Sequence, residues 1–265
     1  MPSPIAVAAT APFGADILER LAAEHDVALV LTRPDKPRGR GRKLASTPAK
    51  QTAERLGIPV AQPAKLDESI EIPVDTVVVA AYGLLIPDAL LDRGLWLNVH
   101  PSLLPRWRGA APIERALMAG DTLTGVTIHR TTPELDAGPI AAQEAFELGP
   151  EDDAGDVYAR SAEIAARLIG EVLLEPHFEP QASAGASYAE KITASDRELD
   201  LSRPAAEVVN HIRALSPHIG ARAIVDGRPL VIWKARDEEG TLQLLDVQPE
   251  GGKRMPYDAY LRGLR

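Results

Sequence analysis

The first 31 residues contain the pattern that most constrains the fold of this chain. Two short apolar runs, Ile5–Ala9 and Val27–Leu31, flank a stretch over 15–23 that has the spacing of an amphipathic helix. A strand, a helix and a second strand within about 30 residues predict a right-handed parallel βαβ unit. A third apolar run over 75–81 predicts another strand, buried on both faces as strands of parallel sheets are.

The sequence up to residue 175 continues this alternation of strands and helices. A long amphipathic helix is predicted over 156–174. Further strands are predicted over 95–99, 125–131 and 140–146, and the second of these alternates like a half-buried strand. The turn Asp136-Ala137-Gly138 would join the last two strands into an antiparallel hairpin. We therefore expect residues 1–175 to form an α/β domain with a mostly parallel sheet.

The remainder of the chain has the pattern of a linker and a small second domain. Residues 175–187 are rich in Pro, Ser, Ala and Gly, which is typical of a linker. Beyond them the sequence predicts a helix over 205–215 and short strands over 222–225, 230–235 and 242–247. We expect a linker over 176–203 and a small β-rich C-terminal domain over 204–265, a partial barrel of OB-like form.

The composition excludes several classes of protein. The chain has no cysteine, which excludes a disulfide framework, a thiolate metal site and a thiol nucleophile. No apolar run approaches the ~18 residues that span a bilayer, and the start of the chain lacks the pattern of a secretory signal. We expect a cytoplasmic protein that works as a monomer.

One basic loop stands out against a net charge of −9. Residues 33–43 carry six cations and one anion, whereas the acidic remainder of the chain would repel nucleic acid. Such a loop can bind a phosphate backbone at one place on the surface. The alternative is a loop that only increases solubility.

Polar side chains follow the strand predicted over 95–99. Asn98 and His100 come at its end, and Asp136 lies on the predicted hairpin turn. Ligands bind at the carboxyl ends of parallel strands, so one crevice could hold all three. Acyl transfer suits this set: the Asn98 amide and a protonated His100 can donate to an oxyanion, and a carboxylate can take an amine proton. Taken singly, each of these residues also has an ordinary structural role in turns and strand ends.

Several motifs resemble those of the 10-formyltetrahydrofolate-dependent formyltransferases. The block Asn-Val-His-Pro-Ser-Leu-Leu-Pro-Arg-Trp-Arg-Gly-Ala-Ala-Pro-Ile at 98–113 is similar to the signature of that family, and Gly-Val-Thr-Ile at 125–128 and Leu-Asp-Ala-Gly at 135–138 continue the match. Residues 33–44 resemble the basic insertion loop of its tRNA-acting members. The segments 187–192 and 212–215 resemble interdomain and C-terminal segments of the same members. The resemblance covers nearly the whole chain and implies a Rossmann-like catalytic domain.

The resemblance implies a role for each matching residue. Asn98 and His100 would polarise the formyl oxygen and stabilise the tetrahedral intermediate, while Asp136 would orient His100 and help to remove the amine proton. The implied formyl donor is 10-formyltetrahydrofolate, without a metal. The implied acceptor is the free amino group of methionyl-initiator tRNA, in support of translation initiation. The implied folate contacts are Tyr82, Gly83, Leu84, Leu85, Ile86, Pro87, Ser102, Leu103, Leu104, Pro105, Leu135 and Gly138. The implied tRNA contacts are Arg38, Arg40, Arg42 and Lys43, with Phe13 in the aminoacyl pocket.

Two segments depart from the family's pattern. Residues 9–13 read Ala-Thr-Ala-Pro-Phe where the family has Gly-Thr-Pro-x-Phe, so Phe13 is kept but the glycine and the first proline are not. This leaves recognition of the methionyl side chain less defined. After residue 235 the chain passes almost directly to the strand over 242–247, so the C-terminal domain is shorter than is usual in the family. A shortened domain predicts weaker tRNA affinity, or more dependence on residues 33–43.

Two other hypotheses remain open at this point. A formyltransferase that acts on an amino sugar or another small amine would share the three catalytic residues, but it would not need the basic loop. A tRNA-binding protein without catalysis would not need Asn98, His100 and Asp136 together.

Overall fold

A seven-stranded sheet forms the centre of the N-terminal part of the chain in the computed structural model, which describes residues 3–38 and 43–264. The strands of this part are β1 (Ile5–Ala9), β2 (Val27–Leu31), β3 (Lys36–Arg38), β4 (Lys43–Ala45), β5 (Val60–Ala61), β6 (Thr76–Ala80), β7 (Leu95–His100), β8 (Arg108–Gly109), β9 (Leu123–Arg130) and β10 (Ile140–Glu147). The helices are α1 (Pro12–Glu24), α2 (Pro48–Leu56), α3 (Asp88–Leu91), α4 (Pro112–Met118) and α5 (Ala154–Leu174).

The order of strands in the large sheet is β10-β9-β7-β6-β1-β2-β5. The pairs β1–β2, β1–β6, β2–β5 and β6–β7 are parallel, and β7 pairs with β9 in the antiparallel sense. The chain first adds β2 and β5 on one side of β1, and it then adds β6 and β7 on the other side. This arrangement confirms the prediction of an α/β fold with a mostly parallel sheet, and ligands of such sheets bind where the strand order reverses.

Burial explains why these residues form strands in the middle of the sheet. All five residues of β1 are buried, as are four of the five in β6, because helices cover parallel strands on both faces. Trp96 of β7 is buried in the same core, where its indole N–H donates to the Leu90 carbonyl oxygen at 2.8 Å. Asn98 lies two residues further on, so Trp96 anchors the strand on the face that carries Asn98.

Two details of this sheet differ from the sequence-based prediction. The prediction of a half-buried strand over 125–131 is wrong, because β9 runs from Leu123 to Arg130 and buries every residue between its two ends. β9 lies inside the sheet between β7 and β10, where neither face is left to solvent. Asn98 also lies within β7, which continues to His100, so it does not mark the end of the strand.

The two ends of the basic segment pair as a short two-stranded stem, and we call residues 36–45 the basic hairpin. β3 and β4 pair in the antiparallel sense, with Lys36 opposite Ala45 and Arg38 opposite Lys43. Asp35 fixes its base, because the Asp35 carboxylate accepts from Lys50 Nζ at 2.8 Å and from Gln62 Nε2 at 2.7 Å. The hydrogen bond to Lys50, followed by that to Gln62, lowers the pKa of Asp35. A segment predicted as an exposed loop therefore has a defined stem.

The C-terminal part of the chain is rich in antiparallel strands, as predicted. Its strands are β11 (Tyr188–Ala189), β12 (Ala221–Val225), β13 (Arg228–Glu238), β14 (Thr241–Pro249) and β15 (Met255–Pro256), and its helices are α6 (Ala205–Leu215) and α7 (Tyr257–Arg262). β12 to β15 form one open sheet in that order. Val208, Ile212 and Leu215 of α6 share a buried core with the sheet residues Ile232 and Val247.

Contacts divide the chain into two compact units. One comprises Met1–Arg108, Gly125–Ala145 and Ala159–Ser187, and the other comprises Gly109–Thr124, Phe146–Tyr158 and Tyr188–Arg265. The division of the sequence into 1–175, 176–203 and 204–265 stays a prediction. Across the described part of the chain, every helix is too short or too polar to traverse a bilayer.

Candidate active site

One carboxylate brings the three predicted catalytic residues together. Asn98 and His100 project from the same face of β7, because side chains two residues apart on a strand point the same way. The loop over 131–139 returns from β9 and places the Asp136 carboxylate beside them. Asn98 Nδ2 donates to Asp136 Oδ1 at 3.2 Å, and His100 Nδ1 lies 3.6 Å from Asp136 Oδ2. The side chain of Asp136 is only 12% exposed, so water screens these interactions weakly.

His129 is a fourth member of this site that the sequence analysis did not single out. It lies opposite Asn98 in the β7–β9 register and is buried. His129 Nδ1 lies 3.0 Å from the Arg130 carbonyl oxygen, which can only accept, so Nδ1 carries the hydrogen. Nε2 then accepts from Asn98 Nδ2 at 3.0 Å. Both hydrogens of the Asn98 amide are therefore used, one by His129 and one by Asp136.

The protonation of His100 follows from the same logic. His100 Nε2 lies 2.8 Å from the Trp107 carbonyl oxygen, so Nε2 donates and Nδ1 faces the Asp136 carboxylate. Burial lowers the pKa of His100 below its usual value of 6.5, and the charge of Asp136 opposes this effect without cancelling it. The resting ring is therefore neutral at pH 7, with Nδ1 able to take up one proton. The predicted protonated form is reached only after such a transfer.

Two residues of the site have backbone in the left-handed region. Asp136 has a φ of 46° and Trp107 has a φ of 64°. Neither is glycine, and such conformations cost on the order of 1–3 kcal/mol each unless the surroundings impose them. Asp136 supplies the central carboxylate, and Trp107 supplies the carbonyl that orients His100. Strain is thus located at the residues that set the geometry of the site.

Gly138 allows the 131–139 loop to close against β9. A Cβ atom at this position would lie 1.8 Å from the Arg130 carbonyl oxygen. We expect Gly138→Ala to lower the free energy of unfolding by ~1–3 kcal/mol and to displace Asp136. Denaturant unfolding measures the first effect. Gly263→Ala is the control, since its Cβ would meet only ordinary contacts, the nearest at 3.5 Å. Equal stability of Gly138→Ala and the native protein would contradict the steric argument.

Thr127 fixes the segment that follows His100. Its buried hydroxyl donates to the Ser102 carbonyl oxygen at 2.6 Å and accepts from the backbone N–H of Leu104 at 3.2 Å. Gln143 Nε2 donates to the same hydroxyl at 2.7 Å and to the Leu104 carbonyl oxygen at 3.0 Å. Ser102 Oγ donates to the Arg106 carbonyl oxygen at 2.7 Å. The side chains of Ser102 and Leu104 are buried, so these contacts give both residues a structural role, while folate binding by them stays a prediction.

The segment over 82–87 follows β6 at the reversal of strand order. Tyr82 is buried, and its hydroxyl has no hydrogen-bond partner among the described residues. Burial raises the pKa of Tyr82 to about 12. Gly83 has a φ of 76°, which turns the chain outward, and Leu85 is 85% exposed. Ile86 is buried, whereas the side chain of Leu135 in the 131–139 loop is 58% exposed.

The remaining predicted residues lie in two places. Phe13 is buried on α1, directly after the loop that follows β1. Arg38 and Lys43 are paired in the β3–β4 register, whereas Arg40 and Arg42 lie outside the described residues. Within residues 3–38 and 43–264, no group of three or more His, Cys, Asp or Glu side chains could hold a metal ion.

Two family models match successive parts of the chain. Residues 4–173 match the model described as formyl transferase, and residues 191–241 match the model described as formyl transferase, C-terminal domain. The methionyl-tRNA formyltransferase of Dechloromonas aromatica is 40% identical, over 97% of this chain and 94% of that protein. That alignment runs over 289 positions, more than the 265 residues of this chain, so the relative has residues without a counterpart here.

Two solved structures are similar in fold. The methionyl-tRNA formyltransferase from Clostridium thermocellum has a TM-score of 0.65 and 14% identity, covering 96% of this chain and 99% of that one. An N-formyltransferase from Helicobacter canadensis, solved with folinic acid and dTDP-3-aminofucose, has a TM-score of 0.67 and 18% identity, covering 90% and 89%. At these identities the likeness concerns the fold alone.

Proposed function

The chain belongs to the formyl transferase family, and we propose that it transfers the formyl group of 10-formyltetrahydrofolate to the free amino group of methionyl-initiator tRNA. The observation that carries the proposal is the Asp136 carboxylate, which is 12% exposed and has Asn98 Nδ2 and His100 Nδ1 within 3.6 Å. The full-length similarity to a methionyl-tRNA formyltransferase supports the choice of acceptor.

The proposed reaction needs a proton acceptor and a hydrogen-bond donor, and no protein nucleophile. The bound folate supplies an electrophilic formyl carbon. The acceptor amine loses one proton as it forms the new C–N bond, and the donor nitrogen gains one as the old C–N bond breaks. One group that takes and returns a proton therefore balances the exchange. His100 is suited to this task, because it is neutral at rest and its Nδ1 faces a carboxylate that stabilises the charged ring.

Asn98 and Asp136 complete the proposed mechanism. Negative charge develops on the formyl oxygen during attack, and a preorganised N–H donor stabilises it. Asn98 can supply that donor by exchanging one of its two present hydrogen bonds, to His129 or to Asp136, for the formyl oxygen. Asp136 then has one oxygen towards each of the other two groups, which fixes their separation and compensates the charge on His100.

The residues around the crevice fit a flat folate ring. Leu85 and Leu135 expose apolar side chains, and the backbone of 82–87, turned outward at Gly83, offers main-chain donors and acceptors. Ligand pockets combine apolar walls with a few polar groups in this manner. We assign these two loops to the donor, with Leu84, Pro87, Leu103, Pro105 and Gly138 as further contacts.

The basic hairpin is the proposed tRNA contact. Its stem is fixed by Asp35, and in the sequence Arg38 ends β3, Lys43 begins β4, and Arg40 and Arg42 stand between them. Contacts to phosphates dominate the affinity of such segments and weaken with salt. The shortened C-terminal domain expected from the sequence would increase the dependence of tRNA binding on the hairpin.

The test is a transfer assay with a triple variant of the hairpin, Arg38→Ala, Arg40→Ala and Arg42→Ala. We expect kcat/KM for charged initiator tRNA to fall at least about 10²-fold, because three charge-assisted hydrogen bonds are lost. The salt dependence should also weaken, since each lost phosphate contact removes about one from the slope. The KM of the formyl donor should not change. A variant with Arg20→Ala, Arg55→Ala and Arg93→Ala carries the same change of charge elsewhere and serves as the control.

The outcomes separate the hypotheses. Rapid transfer to charged tRNA by the native protein, lost in the hairpin variant and kept in the control, supports the proposal. Transfer to an amino sugar but not to charged tRNA would overturn it in favour of a small-amine formyltransferase. Binding of tRNA without transfer to any acceptor would overturn it in favour of a tRNA-binding protein without catalysis.

A further inference from the structure

The side chain of Gln181 holds the loop that carries Asp136. Gln181 Nε2 donates to the carbonyl oxygens of Asp136 and Gly138, each at 2.8 Å. An amide nitrogen has two hydrogens, so both are used on this loop. The two carbonyls converge on one group, which fixes the backbone on either side of residue 137. The left-handed φ of Asp136 directly precedes the first of these two carbonyls.

Arg108 holds the other end of the same amide. Gln181 Oε1 accepts from Arg108 Nη2 at 2.7 Å and from Arg108 Nε at 3.2 Å. Arg108 is buried, and a buried guanidinium needs acceptors to offset its desolvation. The Gln181 amide therefore makes four hydrogen bonds in one defined orientation, with its oxygen fixed towards Arg108 and its nitrogen towards the loop.

Neighbouring residues of the same segment, 179–187, contact both sides of the site. Glu179 and Ile140 exchange backbone hydrogen bonds at 2.7 and 2.9 Å, directly after the Asp136 loop. At the other end, Ser187 Oγ accepts from the backbone N–H of Trp107 at 3.0 Å. Trp107 is the residue whose carbonyl orients His100. A segment with the composition of a linker is thus bonded to the supports of both Asp136 and His100.

We propose that Gln181 is a positioning residue for the formyl transfer, which sets the distance between the Asp136 carboxylate and His100. This inference rests on the proposed function. Among the described residues, the Gln181 side chain bonds only to backbone carbonyls of the loop and to Arg108, so it acts through Asp136 and not on the substrates. A displacement of about 1 Å at a catalytic group can cost on the order of 10²-fold in rate. The rate should therefore depend on the Gln181 amide, although this amide does not contact the reacting atoms.

The test compares Gln181→Met and Gln181→Glu in the full-length protein. Gln181→Met keeps the length of the side chain and removes all four hydrogen bonds. Gln181→Glu keeps the acceptor for Arg108 but replaces the two N–H donors by an oxygen that repels the carbonyls of Asp136 and Gly138. We expect kcat to fall at least about tenfold in both variants, with the KM of charged tRNA and of the formyl donor changed less than about twofold. Ser183→Ala, an exposed position of the same segment, is the control.

The pH dependence distinguishes positioning from loss of structure. The charge of Asp136 raises the pKa of His100, so moving the carboxylate away lowers it further. In Gln181→Met the acid limb of the kcat profile should shift to lower pH, while a general loss of folded protein would scale the profile without moving it. Native kcat in Gln181→Glu, or an unshifted limb in a folded Gln181→Met, would overturn the assignment. An inactive native protein would instead refute the proposed function, so the two failures are distinguishable.

Discussion

Asp136→Asn is expected to lower kcat by at least about 10²-fold, with little change in the KM of either substrate. The substitution preserves the size of the side chain. It removes the negative charge that receives a hydrogen bond from Asn98 and faces His100 at 3.6 Å. A charged His100 would then be buried without a compensating charge, which the low dielectric of the site makes costly. The proton transfer through this ring should therefore slow.

The pH profile gives a second and independent readout for Asp136→Asn. Because the carboxylate raises the pKa of His100, its removal should shift the acid limb of kcat to lower pH. Single-turnover transfer to charged initiator tRNA, measured across pH, tests both statements. Asp75→Asn makes the same chemical change at an exposed position and should leave the profile unaltered. A native rate for Asp136→Asn would remove the carboxylate from the mechanism.

His100→Gln is expected to have an equal or larger effect, two to four orders of magnitude in kcat. The glutamine amide can still donate to the Trp107 carbonyl oxygen, so the hydrogen bond that the imidazole makes at 2.8 Å has a replacement. It cannot take up a proton at the position of Nδ1. Loss of rate in this variant therefore reports on proton transfer and not on an empty buried site.

The design for His100→Gln separates chemistry from folding. The native enzyme should lose kcat as pH falls through the lowered pKa of His100, because a ring already protonated cannot accept the amine proton. The small remaining activity of His100→Gln should lack this limb. Thermal unfolding of the variant supplies the control for stability. A native acid limb in His100→Gln would assign that titration to another group.

The sequence predicted most strands and helices because their apolar spacing is local. The helix predicted over 205–215 matches α6 at both ends, and the runs over 5–9 and 27–31 match β1 and β2. The burial of β9 was mispredicted, because it depends on the neighbours that a strand acquires in the sheet. The alternation of polar and apolar residues within one strand does not show whether neighbouring elements also cover the polar face.

The site was predictable only as far as its residues belong to continuous motifs. Asn98, His100 and Asp136 stand in recognisable blocks, and the structure brings them together. His129 stands opposite Asn98 through strand register, which the sequence does not specify. Gln181 lies in a segment with the composition of a linker, and the three residues that its amide bonds, Asp136, Gly138 and Arg108, are 43 or more positions away along the chain. Such contacts between distant segments have no local signal.

The residues that hold the base of the basic hairpin differ from the residues between Arg38 and Lys43, so the two sets can evolve under different constraints. Asp35 is bonded to Lys50 and Gln62, so the base of the hairpin is held by residues outside positions 36–45. Substitutions between Arg38 and Lys43 can accumulate without disturbing this base or the β7–β9 register that carries Asn98 and His129. If the hairpin binds the acceptor as proposed, a lineage could exchange one acceptor molecule for another by substitutions between Arg38 and Lys43, while the proposed catalytic residues are inherited unchanged.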